Sequence, residues 1–112
     1  MMDEPDLLEK IRRINAELMA RFPGGDDPYQ IATRLLEEAG ELAAQINHFE
    51  ASGVKRAKHG EPDPMKLAKE VQDVIRCALQ IARHYGVEAE LAASVDRSYR
   101  QLLEGTLTQR YD

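Results

Sequence analysis

Apolar positions along the chain recur at helical spacing, and no run alternates apolar and polar residues as a strand would. Leu7, Ile11, Ile14, Leu18 and Phe22 make one stripe and predict a first helix from about Pro5 to Phe22. It begins either with Asp6 and Glu9 as a capping box or with Pro5 in the first helical position. Pro23-Gly24-Gly25 ends it, and Asp27, followed by Pro28 and Gln30, is a strong start signal for the next. That second helix runs through Ile31, Leu35, Leu42, Ile46 and Phe49 to about Glu50. Gly40 lies inside it, where it either permits a close helix approach or is simply tolerated at a cost of up to about 1 kcal/mol.

Gly53 to Asp63 reads as a polar, basic loop carrying Lys55, Arg56, Lys58 and His59, long enough to act as a lid. Asp63-Pro64 repeats the start signal, and a third helix follows to about Tyr85, stopped by Gly86. Its apolar residues, among them Leu67, Val71, Val74, Ile75, Ala78 and Leu79, cover more than half the circumference. An arc that wide needs partners on several sides, and in a short chain a second subunit supplies them, so a homodimer or homotetramer is expected. A fourth helix spans roughly Glu88 to Leu103, with Gly105 closing it. The expected fold is an all-α, four-helix bundle completed by oligomerisation.

Composition narrows the class further. A length of 112 residues implies a single domain over 1–112. Charged residues make up 31% and aromatic residues only 5%, which suits helices. The formal charge of −5 weighs against a nucleic-acid partner, which requires a positive field. No apolar run is long enough to span a membrane, and Asp3, Glu4 and Asp6 do not resemble a basic signal-peptide start. One cysteine forbids an internal disulfide and fits a reducing, cytoplasmic setting. Cys77 is expected to pack rather than react, since no His motif supports a nucleophile.

The acidic residues carry the candidate chemistry. Arg34 to Ile46, RLLEEAGELAAQI, returns in altered form at Lys66 to Ala78, KLAKEVQDVIRCA. Each segment holds two carboxylates three residues apart, Glu38 with Glu41 and Glu70 with Asp73, so each pair shares one helix face. At about 100° per residue, Leu42, Leu35 and Ile46 lie roughly 40° to 80° from Glu38, and Val74, Leu67 and Ala78 lie at the same angles from Glu70. Both pairs therefore border an apolar stripe. If the stripes face each other, four carboxylates converge beside the core, with Glu37 as a fifth acid nearby. Lys69 and Arg34 cannot neutralise so many charges, so a divalent cation is the natural partner. Solvated surface acids are the alternative. His48, His59 and His84 lack the Glu-x-x-His setting of a di-iron site, so an all-carboxylate set points to Mg²⁺, with Mn²⁺ possible. His48 projects near the Glu41 side, where a lone His is more often incidental. Tyr85 and Tyr99 are candidates for base stacking, although aromatics at this spacing usually belong to the core.

The run Glu37-Glu38-x-x-Glu41, followed by Glu70-x-x-Asp73, resembles the E-E-x-x-E…E-x-x-D signature of the MazG-like all-α nucleoside triphosphate pyrophosphatases. The helix order is similar across the whole chain. Related branches with the same acids include dimeric dUTPases, dCTP pyrophosphatases and phosphoribosyl-ATP pyrophosphatases, the last usually with more closely spaced pairs. The resemblance implies hydrolysis of a nucleoside triphosphate to the monophosphate and pyrophosphate. It makes Glu38, Glu41, Glu70 and Asp73 the Mg²⁺ ligands, with Glu37 placed to orient or deprotonate the attacking water. Arg97 and Arg100 on the closing helix, and Lys55 in the basic loop, are the candidate phosphate contacts. Where several members have an aromatic near the base, this chain has Cys77. The rival readings are phosphoribosyl-ATP hydrolysis and a helical oligomerisation or regulatory module without chemistry.

Overall fold

The computed structural model describes residues 3–51 and 54–107, with the side chains of Lys55 and Arg56 outside the description. Among the described residues the fold is all-α. It comprises α1 (Leu7–Arg21), a 3-10 turn (Pro23–Gly25), α2 (Pro28–Glu50), α3 (Val54–His59), α4 (Pro64–His84) and α5 (Glu88–Glu104). No described helix is long and apolar enough to cross a membrane. The chain divides into two units, one ending at Ile81 and the other starting at Ala82.

Local chemistry sets the helix ends in the first unit. The Oδ1 of Asp6 accepts from the Glu9 amide at 2.8 Å, which makes Asp6 the N-cap and leaves Pro5 outside the helix. The Glu9 carboxylate turns to Arg12 and Arg13. Asp27 caps α2 by accepting from the amides of Tyr29 (2.8 Å) and Gln30 (3.2 Å), with Pro28 in the first turn, where a missing N–H costs nothing. Asp63 does the same for α4 through the Met65 amide at 2.9 Å.

One element departs from the sequence expectation. The stretch read as a loop from Gly53 to Asp63 contains α3, so the described residues hold five α-helices rather than four. Its residues, Val54-Lys-Arg-Ala-Lys-His59, are mostly good helix formers. Their charge suggested a loop, but a short solvated helix accommodates it equally well. Gly60, at φ 77°, follows the helix in the left-handed conformation that Gly adopts without strain. Gly40 is tolerated, since a Cβ there would meet nothing within 4 Å.

Helices α1 and α4 are joined by buried polar contacts. Asn15 Nδ2 donates to the Arg76 carbonyl at 3.0 Å, and Gln80 Nε2 donates to the Met19 sulfur at 3.1 Å. The buried core is small: among the described residues of this unit, Ile11, Ile31 and Cys77 are its buried apolar side chains. On the wide apolar arc of α4, Leu67, Val74, Ile75 and Leu79 are only half-buried, and Val71 and Ala78 are exposed.

In the second unit, α4 ends in a Schellman arrangement. The Val87 amide reaches the Ala82 carbonyl at 2.9 Å and the Gly86 amide reaches Arg83 at 3.2 Å, with Gly86 at φ 65°. Gly105 closes α5 at φ 74° in the same way, with the Thr106 amide on the Gln101 carbonyl at 2.9 Å. Tyr85 and Tyr99, expected in the core, are both exposed (63% and 58%). Tyr85 instead meets the His84 ring edge to face at 4.8 Å.

Candidate metal centre

Capping by Asp27 and Asp63 sets where α2 and α4 begin, and with it which residues come round to the shared face. On that face α2 presents Glu38 and Glu41, one turn apart, and α4 presents Glu70. One carboxylate oxygen from each of the three lies within 4.8 Å of the others. Glu41 is exposed, while Glu38 and Glu70 are half-buried. The Oε2 atoms of both Glu38 and Glu70 are enclosed and without a hydrogen-bond partner. Carboxylates accept hydrogen bonds and cannot satisfy one another unless a proton or a cation lies between them.

The electrostatics reflect that crowding. The Glu70 carboxyl is pushed up to about 6, first by burial, then by the hydrogen bond and charge of Glu41, then by those of Glu38. The Glu38 carboxyl is also raised, by burial and then by the negative charges of Asp73 and Glu41, against a lowering hydrogen bond from Glu70. Both shifts show that the cluster holds negative charge at a cost, which a bound cation would relieve. Three carboxylates poised around one point, two with orphaned buried oxygens, form a set capable of chelating a divalent ion, and oxygen donors suit a hard cation.

The other predicted site residues fall in different places. Asp73, one turn beyond Glu70, is not part of the three-oxygen cluster. Its Oδ1 is held by Lys69 Nζ at 2.6 Å, and Arg76 Nε is 4.0 Å away. The charge of Asp73 still reaches Glu38. Glu37 is exposed on α2, about 100° round from Glu38. Arg97 and Arg100 are exposed on α5, in the second unit. The Lys55 side chain lies outside the described residues. His48 is not part of the cluster: its Nε2 is 2.9 Å from the Gly60 carbonyl, and its ring meets His59 edge to face at 6.1 Å.

Cys77 lies behind the acids and is fully enclosed. Burial pushes its thiol up, Arg76 and Arg34 pull it down, and Glu38 and Asp73 add to the rise. A protonated, enclosed thiol packs rather than attacks.

Sequence reasoning missed two buried amides, Asn15 and Gln80, and the enclosed Nε of half-buried Arg34. Arg34 Nη2 donates to the Gly25 carbonyl at 2.5 Å, and a side chain at Gly25 would meet the guanidinium at 3.4 Å. A signal was present for Asn15, which interrupts the apolar face of α1 one turn after Ile11. Searches against protein-family models, curated proteins and solved structures found no match.

Proposed function

We propose that the chain is a Mg²⁺-dependent nucleoside triphosphate pyrophosphohydrolase of MazG-like type, converting a nucleotide to its monophosphate and pyrophosphate. The observation that carries this reading is the convergence of Glu38, Glu41 and Glu70 from two helices, with two enclosed carboxylate oxygens left unpartnered. The E-E-x-x-E…E-x-x-D spacing supports it. Glu38, Glu41 and Glu70 would hold the ion, and Asp73, now paired with Lys69, would be the fourth carboxylate ligand. A bound divalent cation supplies charge neutralisation for the phosphates and Lewis acidity toward water. Glu37, exposed beside the cluster, takes the proton of the attacking water, and Glu38 helps to hold that water in place. The protein works in the cytoplasm as a homodimer or homotetramer, in line with the half-buried apolar arc of α4.

The test is pyrophosphate release from a broad panel of nucleoside triphosphates. Activity is expected with Mg²⁺, absent with chelator, and abolished in Glu38→Ala or Glu70→Ala. Including phosphoribosyl-ATP separates that substrate from ordinary nucleotides. No turnover across the panel, or full activity in both variants, would leave a helical interaction module as the better description.

A further inference from the structure

Asp73 does not stand alone beside the acidic cluster. Its carboxylate is only 14% exposed and faces two basic side chains of α4, Lys69 Nζ at 2.6 Å and Arg76 Nε at 4.0 Å. The two differ in freedom. Arg76 is 16% exposed, whereas Lys69 is 59% exposed and carries its ammonium on a long, flexible stem. Lys69 precedes Glu70 in the chain and lies one helical turn before Asp73, so that ammonium is held at the edge of the carboxylates and is open to solvent.

Charge gives the position its interest. Glu38, Glu41, Glu70 and Asp73 bring four negative charges when ionised, and one divalent cation would cancel two of them. A polyphosphate that approaches the remainder meets net repulsion unless a basic side chain answers it. Arg34 already gives its Nη2 to the Gly25 carbonyl, and Arg76 is largely enclosed. Lys69 is held by a single exposed ion pair, which is weak, so its release costs little. A carboxylate that turns to a cation no longer needs an ammonium. The ammonium then left beside the site is a compact charge with three N–H donors and no partner, which suits phosphate oxygens.

We propose that Lys69 is a phosphate-binding residue of this site, its ammonium passing from Asp73 to the phosphates of the substrate when Asp73 turns to a cation. The same side chain then has two opposite effects. It competes with the cation for Asp73, and it holds the polyphosphate once the cation is in place. A solvated surface pair, the plain alternative, does neither. The inference rests on the nucleotide reading of the acidic cluster and names a residue for the phosphates of its substrate.

The test is calorimetric titration of the full chain, in excess Mg²⁺, with the methylene-bridged analogue of inorganic triphosphate, which has no base and resists hydrolysis. Lys69→Met and Lys69→Arg are compared with the parent after circular dichroism has shown that both fold. Lys69→Met is expected to bind the analogue about tenfold more weakly, the loss of one charge-assisted contact, and Lys69→Arg, which keeps the charge, should retain most of the affinity. Mn²⁺ alone should bind Lys69→Met no more weakly than the parent, a split that a merely structural lysine would not give. Unchanged affinity for the analogue in Lys69→Met, an equal loss in Lys69→Arg, or Mn²⁺ binding that weakens along with the analogue overturns the proposal. Binding of the analogue through Lys69 without cleavage of any nucleotide leaves this inference standing and removes the hydrolase reading. Nucleotide cleavage with unaltered KM in Lys69→Met removes this inference alone, and a parent that neither binds the analogue nor cleaves a nucleotide removes both.

Discussion

Glu38 on α2 and Glu70 on α4 each keep an Oε2 atom enclosed and without a hydrogen-bond partner, although a third carboxylate, Glu41, stands within 4.8 Å of both side chains. Acids brought so close repel one another when ionised. A cation or a proton can relieve that repulsion, and the two compete for the same oxygens.

Competition with protons gives the first prediction. Glu70 holds its proton more tightly in the folded chain, with its pKa raised from 4.5 to about 6. Its stabilising contribution is therefore fully present below about pH 4.5 and is lost as pH rises through about 6. Glu38 shifts in the same direction. In chelator, thermal unfolding of Glu70→Gln should gain on the parent as pH rises from 4.5 to 7, because Gln cannot ionise. A constant gap between the two proteins across that range would contradict the cause assigned to the shift.

Lys69 gives the second prediction. Its ammonium holds Asp73 at 2.6 Å, occupying the acid expected as a fourth ligand. Lys69 is 59% exposed, so the pair is worth no more than ~1 kcal/mol. Lys69→Met should tighten Mn²⁺ binding by up to about fivefold, the equivalent of that energy. Weaker binding in the variant would mean that Asp73 takes no part in holding the ion.

The groove lined by Leu7, Ile11, Ile14, Phe49, Leu67, Val71 and Ile75 gives the third. It encloses about 800 Å³, and Ile14 stands 42% exposed beside it. If this face is covered by another subunit, Ile14→Glu should shift the sedimentation coefficient of the native assembly to that of a monomer, because an unpaired charge cannot be buried there. A parent protein that already sediments as a monomer would refute the oligomer.

Much of the fold was legible because its signals are local. The Asp27-Pro28 and Asp63-Pro64 starts and the Gly86 and Gly105 stops act within a turn of themselves, so the residues alone place them. The acid pairs were legible for a similar reason, since helical periodicity aligns Glu38 with Glu41 and borders both pairs with apolar residues. What depends on the three-dimensional neighbourhood was not. The i,i+4 spacing of Lys69 and Asp73 is local, but nothing along the chain says which acids of α4 meet those of α2. Gln80 also looks like an ordinary surface amide until α1 is laid against α4. Helix α3 escaped because lysine and arginine serve a loop and a solvated helix equally well.

The central claim is that Glu38, Glu41 and Glu70 bind one divalent cation together. Titration with Mn²⁺, followed by electron paramagnetic resonance at pH 7.5, tests it most directly. The parent protein should take up the ion at a saturable site, Glu38→Gln and Glu70→Gln should each weaken that uptake by about tenfold or more, and binding should fall as pH drops below 6, where Glu70 regains its proton. Uptake that is absent in the parent, or unchanged in both variants, would contradict the account.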